Sequence, residues 1–182
     1  MSENPTRKKN RLDGHDYSQA GAYFVTVCVK NRHELLGEIV GEAMIANERL
    51  CRGDYQSPAI KEDSMHSAYN VVLNEYGVAL DKSLKRIPII YKNVILDKYV
   101  IMPNHLHMIL VIRNSGRLII APTISQVIKQ LKSSVTKQLG FSLWQRSYHD
   151  HIIRNHNDYI RIAEYIESNP ARWTEDMYYI KH

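Results

Sequence analysis

The stretch VILDKYVIMPNHLHMILVI, from Val94 to Ile112, decides the architecture. Two apolar runs, Val94–Met102 and His105–Ile112, are separated only by Pro103 and Asn104. Proline presets φ for a turn and asparagine bonds its own backbone, so two strands joined by a tight connection are expected. Side chains alternate along a strand, so His105 and His107 share one face while Leu106 points into a core. Two neutral imidazoles at i and i+2 suit a divalent cation such as Mn²⁺ or Zn²⁺. Taken alone, such a pair is more often two satisfied histidines than a metal site.

Upstream, AYFVTVCVK is β-branched and aromatic and reads as a buried strand at about Ala22–Lys30. GEIVGEAMIA, Gly37–Ala46, reads as a hairpin turning near Gly41-Glu42, and about 47–67 as a surface insertion. Asn74 is a good N-cap for a helix over Glu75–Arg86, with Tyr76, Ala79, Leu80 and Leu84 on its apolar side and Pro88 ending it. Downstream, Thr123 with Gln126 has the form of a capping box. Ile124, Val127, Ile128, Leu131, Val135 and Leu139 then hold one helix face, and Gly140 stops it. Trp144–Asn155 reads as a short strand with a loop, and Trp144 as a packing residue. Asn157 or Asp158 is expected to cap a last helix reaching Ser168, broken by Asn169-Pro170. Strands interleaved with helices predict an α+β fold, an antiparallel sheet with helices packed on it.

The 182 residues are 44% hydrophobic and 24% charged, the mix of one globular domain. Cys28 and Cys51 are the only cysteines, too few for a disulfide framework or a cysteine zinc site. The opening MSENPTRKKNRLDGHDYS is no secretory signal, and no apolar run approaches a membrane span, so a cytoplasmic protein without membrane contact is expected. Lys and Arg total 24 against 19 acidic residues, a net charge of +5 that makes a polyanion partner plausible. Arg7, Lys8, Lys9 and Arg11 in a basic arm (residues 1–20), and Lys129 and Lys132 off the apolar stripe of their helix, are candidate phosphate contacts. A solvated surface explains the same lysines equally well.

On the last helix, Asp158, Arg161, Tyr165 and Asn169 fall along one stripe, with Ile162, Ala163 and Ile166 on the other side. Tyr165 is thereby kept off the packed face, between a cation and an amide.

The runs YVIMPNHLHMIL, VIKQLKS, WQRSYHDHIIRN and YIRIAEYIESNPARW, in that order, resemble the REP-associated tyrosine transposases, of the single-tyrosine HUH transposase superfamily. The resemblance covers residues 21–173, leaving 174–182 as a loosely packed tail. It implies a ferredoxin-like core, the HUH nuclease fold, acting on single-stranded DNA near hairpins. It implies a Mg²⁺ or Mn²⁺ ion on His105, His107 and Asn169, and Tyr165 as nucleophile within Tyr-Ile-x-x-Asn-Pro. Cleavage through a 5′-phosphotyrosine would keep the bond energy and allow rejoining without ATP. Arg154 and Arg161 join the candidate DNA contacts, and a monomer is favoured over a homodimer. Tyr148 and Tyr159 lie close to Tyr165 in sequence, so its choice rests on the motif. Two alternatives stay open: a non-catalytic DNA-binding or regulatory protein retaining the fold, and a metal phosphodiesterase using water, for which Tyr165 would be dispensable.

Overall fold

The structure, a computed structural model, describes residues 19–41, 69–113 and 122–181. Strand β1 (Gly21–Cys28) is followed by β2 (Gly37–Gly41) and β3 (Tyr69–Leu73). Helix α1 (Glu75–Lys85) and the single turn α2 (Ile87–Ile90) lead into β4 (Val94–Met102) and β5 (His105–Ile112). Helix α3 (Ile124–Leu139), strand β6 (His149–Ile153) and helix α4 (His156–Ser168) complete the regular elements, followed by a 3₁₀ turn at Pro170–Glu175.

Strands β4, β5, β1 and β6 form one antiparallel sheet in that spatial order. With β2 and β3 set aside, the chain runs β1–α1–β4–β5–α3–β6, the ferredoxin-like order expected from the sequence. Leu106, Met108 and Leu110 project to one face, where they pack with Leu80, Leu84, Val127, Ile128 and Leu131 of α1 and α3. Ile109 projects to the other face and packs with Ile162 and Ile166 of α4. Helix α4 is therefore a third layer, added on the face that also carries His105 and His107.

Local chemistry sets the element ends. The Asn74 side chain accepts from the backbone N–H of Tyr76 and Gly77. Thr123 and Gln126 make both hydrogen bonds of the capping box, and Gly140 closes α3 at φ 76°, where a Cβ would be strained. Pro88 does not end α1. It opens α2, where its missing N–H costs nothing.

Two further expectations are corrected, and one meets a partner the sequence did not show. β2 pairs with β3, Gly37 opposite Leu73 and Gly41 opposite Tyr69, while the expected turn at Gly41-Glu42 and its return strand to Ala46 run into residues outside the described ones. An alternating apolar pattern names a strand but not its partner, and Tyr69–Leu73 is as strand-forming as the residues after Gly41. The connection over 42–68, with the expected insertion, lies outside the described residues, as does the basic arm up to residue 18. The cap of α4 is Asn155, whose side chain accepts from Asp158 N–H, which frees the Asp158 carboxylate for other partners. Residues 174–181 are no loose tail: Tyr178 is buried, its carbonyl accepts from Asn104 Nδ2, and Asp176 holds the Tyr178 N–H.

Gly77 shows how closely α1 approaches Leu36, just before β2, and Leu73 of β3. A Cβ there would lie 2.1 Å from the Leu36 carbonyl oxygen. Gly77→Ala should raise helix propensity by about 1 kcal/mol, yet the clash with rigid backbone outweighs it. We expect net destabilisation of roughly 1–3 kcal/mol, read as a lower thermal midpoint; an unchanged or raised midpoint would contradict this packing.

Candidate active site

The turn at Pro103-Asn104 delivers His105 to the end of β5 beside Cys28 of β1, and His107 opposite Thr26. Both imidazoles are buried, 0% and 1% exposed. Asn104 fixes the first of them. Its Nδ2 donates to the carbonyls of Arg32 and Tyr178, at 3.2 and 2.9 Å, so Oδ1 must face His105 Nδ1, 2.8 Å away. An amide oxygen only accepts, so His105 carries its proton on Nδ1 and presents a lone pair at Nε2. That Nε2 lies 2.9 Å from His107 Nε2.

His107 Nδ1 lies 2.8 Å from Thr26 Oγ1. A hydroxyl can donate or accept, so Thr26 serves either tautomer of His107. With the proton on Nε2, His107 donates towards His105; with it on Nδ1, both Nε2 lone pairs are free. Burial is the main cause that pushes His105 down to about 3, with the Arg32 charge adding to it. His107 is likewise held well below the usual imidazole range by burial, then by the charge on His105, against an upward pull from Asp176. Both rings are neutral near pH 7, the form that binds a cation.

Helix α4 and the segment after it bring the other groups. The Tyr165 ring, 37% exposed, stands on the edge of α4 facing His107, its hydroxyl 3.2 Å from His107 Nε2. The hydroxyl donates to Asp176 Oδ2 at 2.8 Å, and Asn169 Nδ2 donates to the same oxygen at 2.6 Å. His105, His107 and Asp176 each offer a ligand atom, all within 4.8 Å of one another. Asn169 is buried, and its Oδ1 has no hydrogen-bond partner among the described residues. Such an oxygen costs about 1–3 kcal/mol when left unsatisfied. Two imidazole nitrogens with carboxylate and amide oxygens are a donor set that fits a first-row divalent cation such as Mn²⁺, and less closely Mg²⁺. Burial, then hydrogen bonding to Asp176, raises the Tyr165 hydroxyl above the ordinary phenol value, so it rests protonated. Tyr178 and Trp173 pack their rings against His105, at 4.7 and 5.8 Å between centroids.

The structure thus brings His105, His107, Tyr165 and Asn169 together. Asp176, Thr26, Asn104 and Tyr178 are neighbours that sequence reasoning missed. An acidic residue embedded among aromatics in the run WTEDMYY was the signal available for Asp176. The two tyrosines that neighbour Tyr165 in sequence are engaged elsewhere: Tyr159 donates to Asp97 at 2.7 Å, and Tyr148 lies against Ser125 of α3. Trp144 packs as expected, its Nε1–H donating to the Lys132 carbonyl.

Lys132 has protein partners: its half-buried ammonium donates to the carbonyls of Gln145 and Ser147, and burial pulls it down to about 8. Lys129 is exposed, but on α3, across the sheet from the histidines. Arg154 and Arg161 are exposed, Arg161 on α4 and paired with Asp158 at 2.7 Å. Arg7, Lys8, Lys9 and Arg11 lie outside the described residues.

The structure of a REP-associated tyrosine transposase bound to a REP hairpin superposes with a TM-score of 0.54, covering 95% of this chain and 74% of that one at 18% identity. The two chains share a fold. A second solved chain, from Deinococcus radiodurans, covers 86% of this one at 18% identity with a TM-score of 0.44. By sequence, an uncharacterized protein of Haemophilus influenzae is 29% identical over 96% of this chain and 93% of its own length. No family model matches the sequence. The transposase fold of the neighbour is thus present here with a buried histidine pair and a tyrosine at its edge. Among the described residues, no helix is long and apolar enough to cross a membrane.

Proposed function

We propose that this chain is a metal-dependent, single-tyrosine DNA transposase or endonuclease that cuts and rejoins single-stranded DNA near hairpins. The observation that carries the reading is one contact: the Tyr165 hydroxyl lies 3.2 Å from His107 Nε2, which lies 2.9 Å from His105 Nε2. A nucleophile and a paired-imidazole cation site occupy one place, which neither rival reading requires. A DNA-binding module has no use for the buried pair, and a water-using phosphodiesterase has none for the tyrosine.

His105, His107 and Asp176 would hold the ion, with Asn169 Oδ1 as a further oxygen donor. When bound, a Mg²⁺ or Mn²⁺ ion supplies Lewis-acid polarisation of the scissile phosphate, whose anionic oxygens otherwise repel a nucleophile. Tyr165 Oη forms the bond to phosphorus and the bond from phosphorus to the 3′ oxygen breaks, leaving a 5′-phosphotyrosine and a 3′ oxygen that takes a proton from solvent to become a 3′-hydroxyl. The phenol proton has an acceptor waiting in Asp176 Oδ2, to which it already donates at 2.8 Å. Because the resting phenol is held above its ordinary value, attack requires proton transfer in step with bond formation. Asn169 Nδ2 holds the carboxylate in place for that transfer. Reversal by an incoming 3′-hydroxyl rejoins a strand without an outside energy source.

The substrate test compares a hairpin bearing a single-stranded flank with a blunt duplex of equal length. Tighter binding to the hairpin is expected, weakening steeply with salt as counterions return to the phosphates. Equal affinities, or no salt dependence, would overturn the substrate assignment. A monomer in solution is the expected state, because each described chain brings its own His105, His107, Tyr165 and Asp176 together; sedimentation mass checks it.

A further inference from the structure

The sheet face that carries the histidine pair is only partly covered. Helix α4 packs on this face, where Ile162 and Ile166 meet Ile109, and Phe24 of β1, Val100, Val111 and Ile153 of β6 pack partly buried against them. β6 is the edge strand beyond β1, and two of its histidines, His149 and His151, are exposed on that same face. The register makes the relation explicit. Thr26 is opposite His107 on one side and His149 on the other; Phe24 is opposite Ile109 on one side and His151 on the other. Two cross-strand rows therefore run from the site to the sheet edge, His107–Thr26–His149 and Ile109–Phe24–His151. Neighbouring strands are about 4.8 Å apart, so His149 stands about 10 Å from His107.

The rows are chemically continuous with the site. The Phe24 ring stacks on His107, 5.3 Å between centroids at 30°, and meets Tyr165 edge-on at 6.1 Å. His151 Nε2 is 2.8 Å from Asp158 Oδ2, and Arg161 holds the other oxygen at 2.7 Å. One carboxylate thereby orients an imidazole and a guanidinium beside each other. The Arg161 and His151 hydrogen bonds hold Asp158 down at about 2, so it remains an anion that positions both.

The geometry points to this strip, Phe24, His149 and His151 with Arg161, as a binding subsite for the nucleotide next to the scissile phosphate on a single DNA strand. This rests on the proposed function and names the path by which its substrate enters. The part of Phe24 left exposed gives an apolar floor beside the exposed imidazoles of β6, and unpaired bases stack on such rings whatever their sequence. Arg161 and the imidazole N–H groups are donors suited to the neighbouring phosphate. The occupant is single-stranded because paired bases keep their faces stacked within the duplex. Charge complementarity and direct contact of Phe24 with Tyr165 favour DNA over any other occupant of this face.

The test is binding of a fluorescent oligothymidylate in EDTA, where no cutting intervenes, read by anisotropy. His149→Ala with His151→Ala should weaken binding about tenfold, and Arg161→Ala should weaken it and flatten the salt dependence. Lys129→Ala, on the opposite layer, should leave binding unchanged. The substituted histidines are exposed, and an unchanged thermal midpoint verifies folding; Arg161→Ala gives an independent reading should the double variant unfold. Ultraviolet cross-linking should map thymine to β1 or β6. Unchanged affinity in the histidine and arginine variants, or cross-links confined to α3, overturns the subsite. Cation-dependent cleavage by the wild type is scored separately. Strip-dependent binding without cleavage would sustain the subsite and remove the catalytic reading. Cleavage with strip-independent binding would do the reverse.

Discussion

His107→Ala should abolish both divalent-cation binding and DNA cleavage while the chain still folds. His107 presents Nε2 to His105 and to the Tyr165 hydroxyl, and its other nitrogen is held by Thr26. Loss of an outer partner of a metal-binding histidine already costs about ten- to a hundredfold in affinity. Loss of the ring itself should exceed that, so Mn²⁺ titration should show affinity down by more than about a hundredfold. The variant leaves the buried Thr26 hydroxyl short of a partner, a cost of roughly 1–3 kcal/mol. Thermal unfolding separates that loss from loss of the cation. His105→Ala should behave alike, and EDTA should reproduce both in the wild type. Full cleavage in EDTA, or tight Mn²⁺ binding by either variant, would remove the metal from the account.

Tyr165→Phe is the second large effect. The substitution deletes one hydroxyl from a ring 37% exposed, and the phenyl ring can keep its contacts with Phe24 and His107. Asp176 loses one donor but retains those from Asn169 and the Tyr178 N–H. Stability should therefore change by no more than about 1 kcal/mol. Cleavage and the denaturation-resistant protein–DNA adduct should both fall below detection, because Tyr178 and Thr26, whose side chains also reach the histidines, are buried while Tyr165 is exposed. Cation and DNA binding should persist. Tyr159→Phe is the control: its hydroxyl is engaged with Asp97 and pushed up to about 12 by that bond first and by burial second. A Tyr165→Phe protein that cuts at the wild-type rate would promote water as the nucleophile.

Much of this arrangement was legible because it rests on short-range rules. Pro103-Asn104 between two apolar runs dictates a tight β4–β5 connection, and period two then puts His105 and His107 on one face. Thr123, Gln126 and Gly140 bound α3 to the residue, because caps and left-handed glycine act locally. The fold class followed from the order of these elements. What was not legible depends on long-range partners. The alternation in β2 cannot show that Tyr69–Leu73, beyond a long connection, completes its ladder. Nor does anything local at Lys132 show that Gln145 and Ser147 will bring carbonyls to its ammonium. Asp176 was hidden for a related reason. It follows the last helix in a segment without periodicity, and its place beside Tyr165 is set by Trp173 and Tyr178 packing over His105.

The central claim is that Tyr165 makes the covalent bond, and peptide mapping of the trapped product tests it most directly. Wild-type protein would be incubated with a hairpin oligonucleotide carrying a single-stranded flank and Mn²⁺, denatured, digested and analysed by mass spectrometry. The account predicts a 5′-phosphodeoxynucleotide on Tyr165 and on no other tyrosine. Nucleotide mass on Tyr148 or Tyr159, or cleaved DNA with no adduct on any residue, would contradict it.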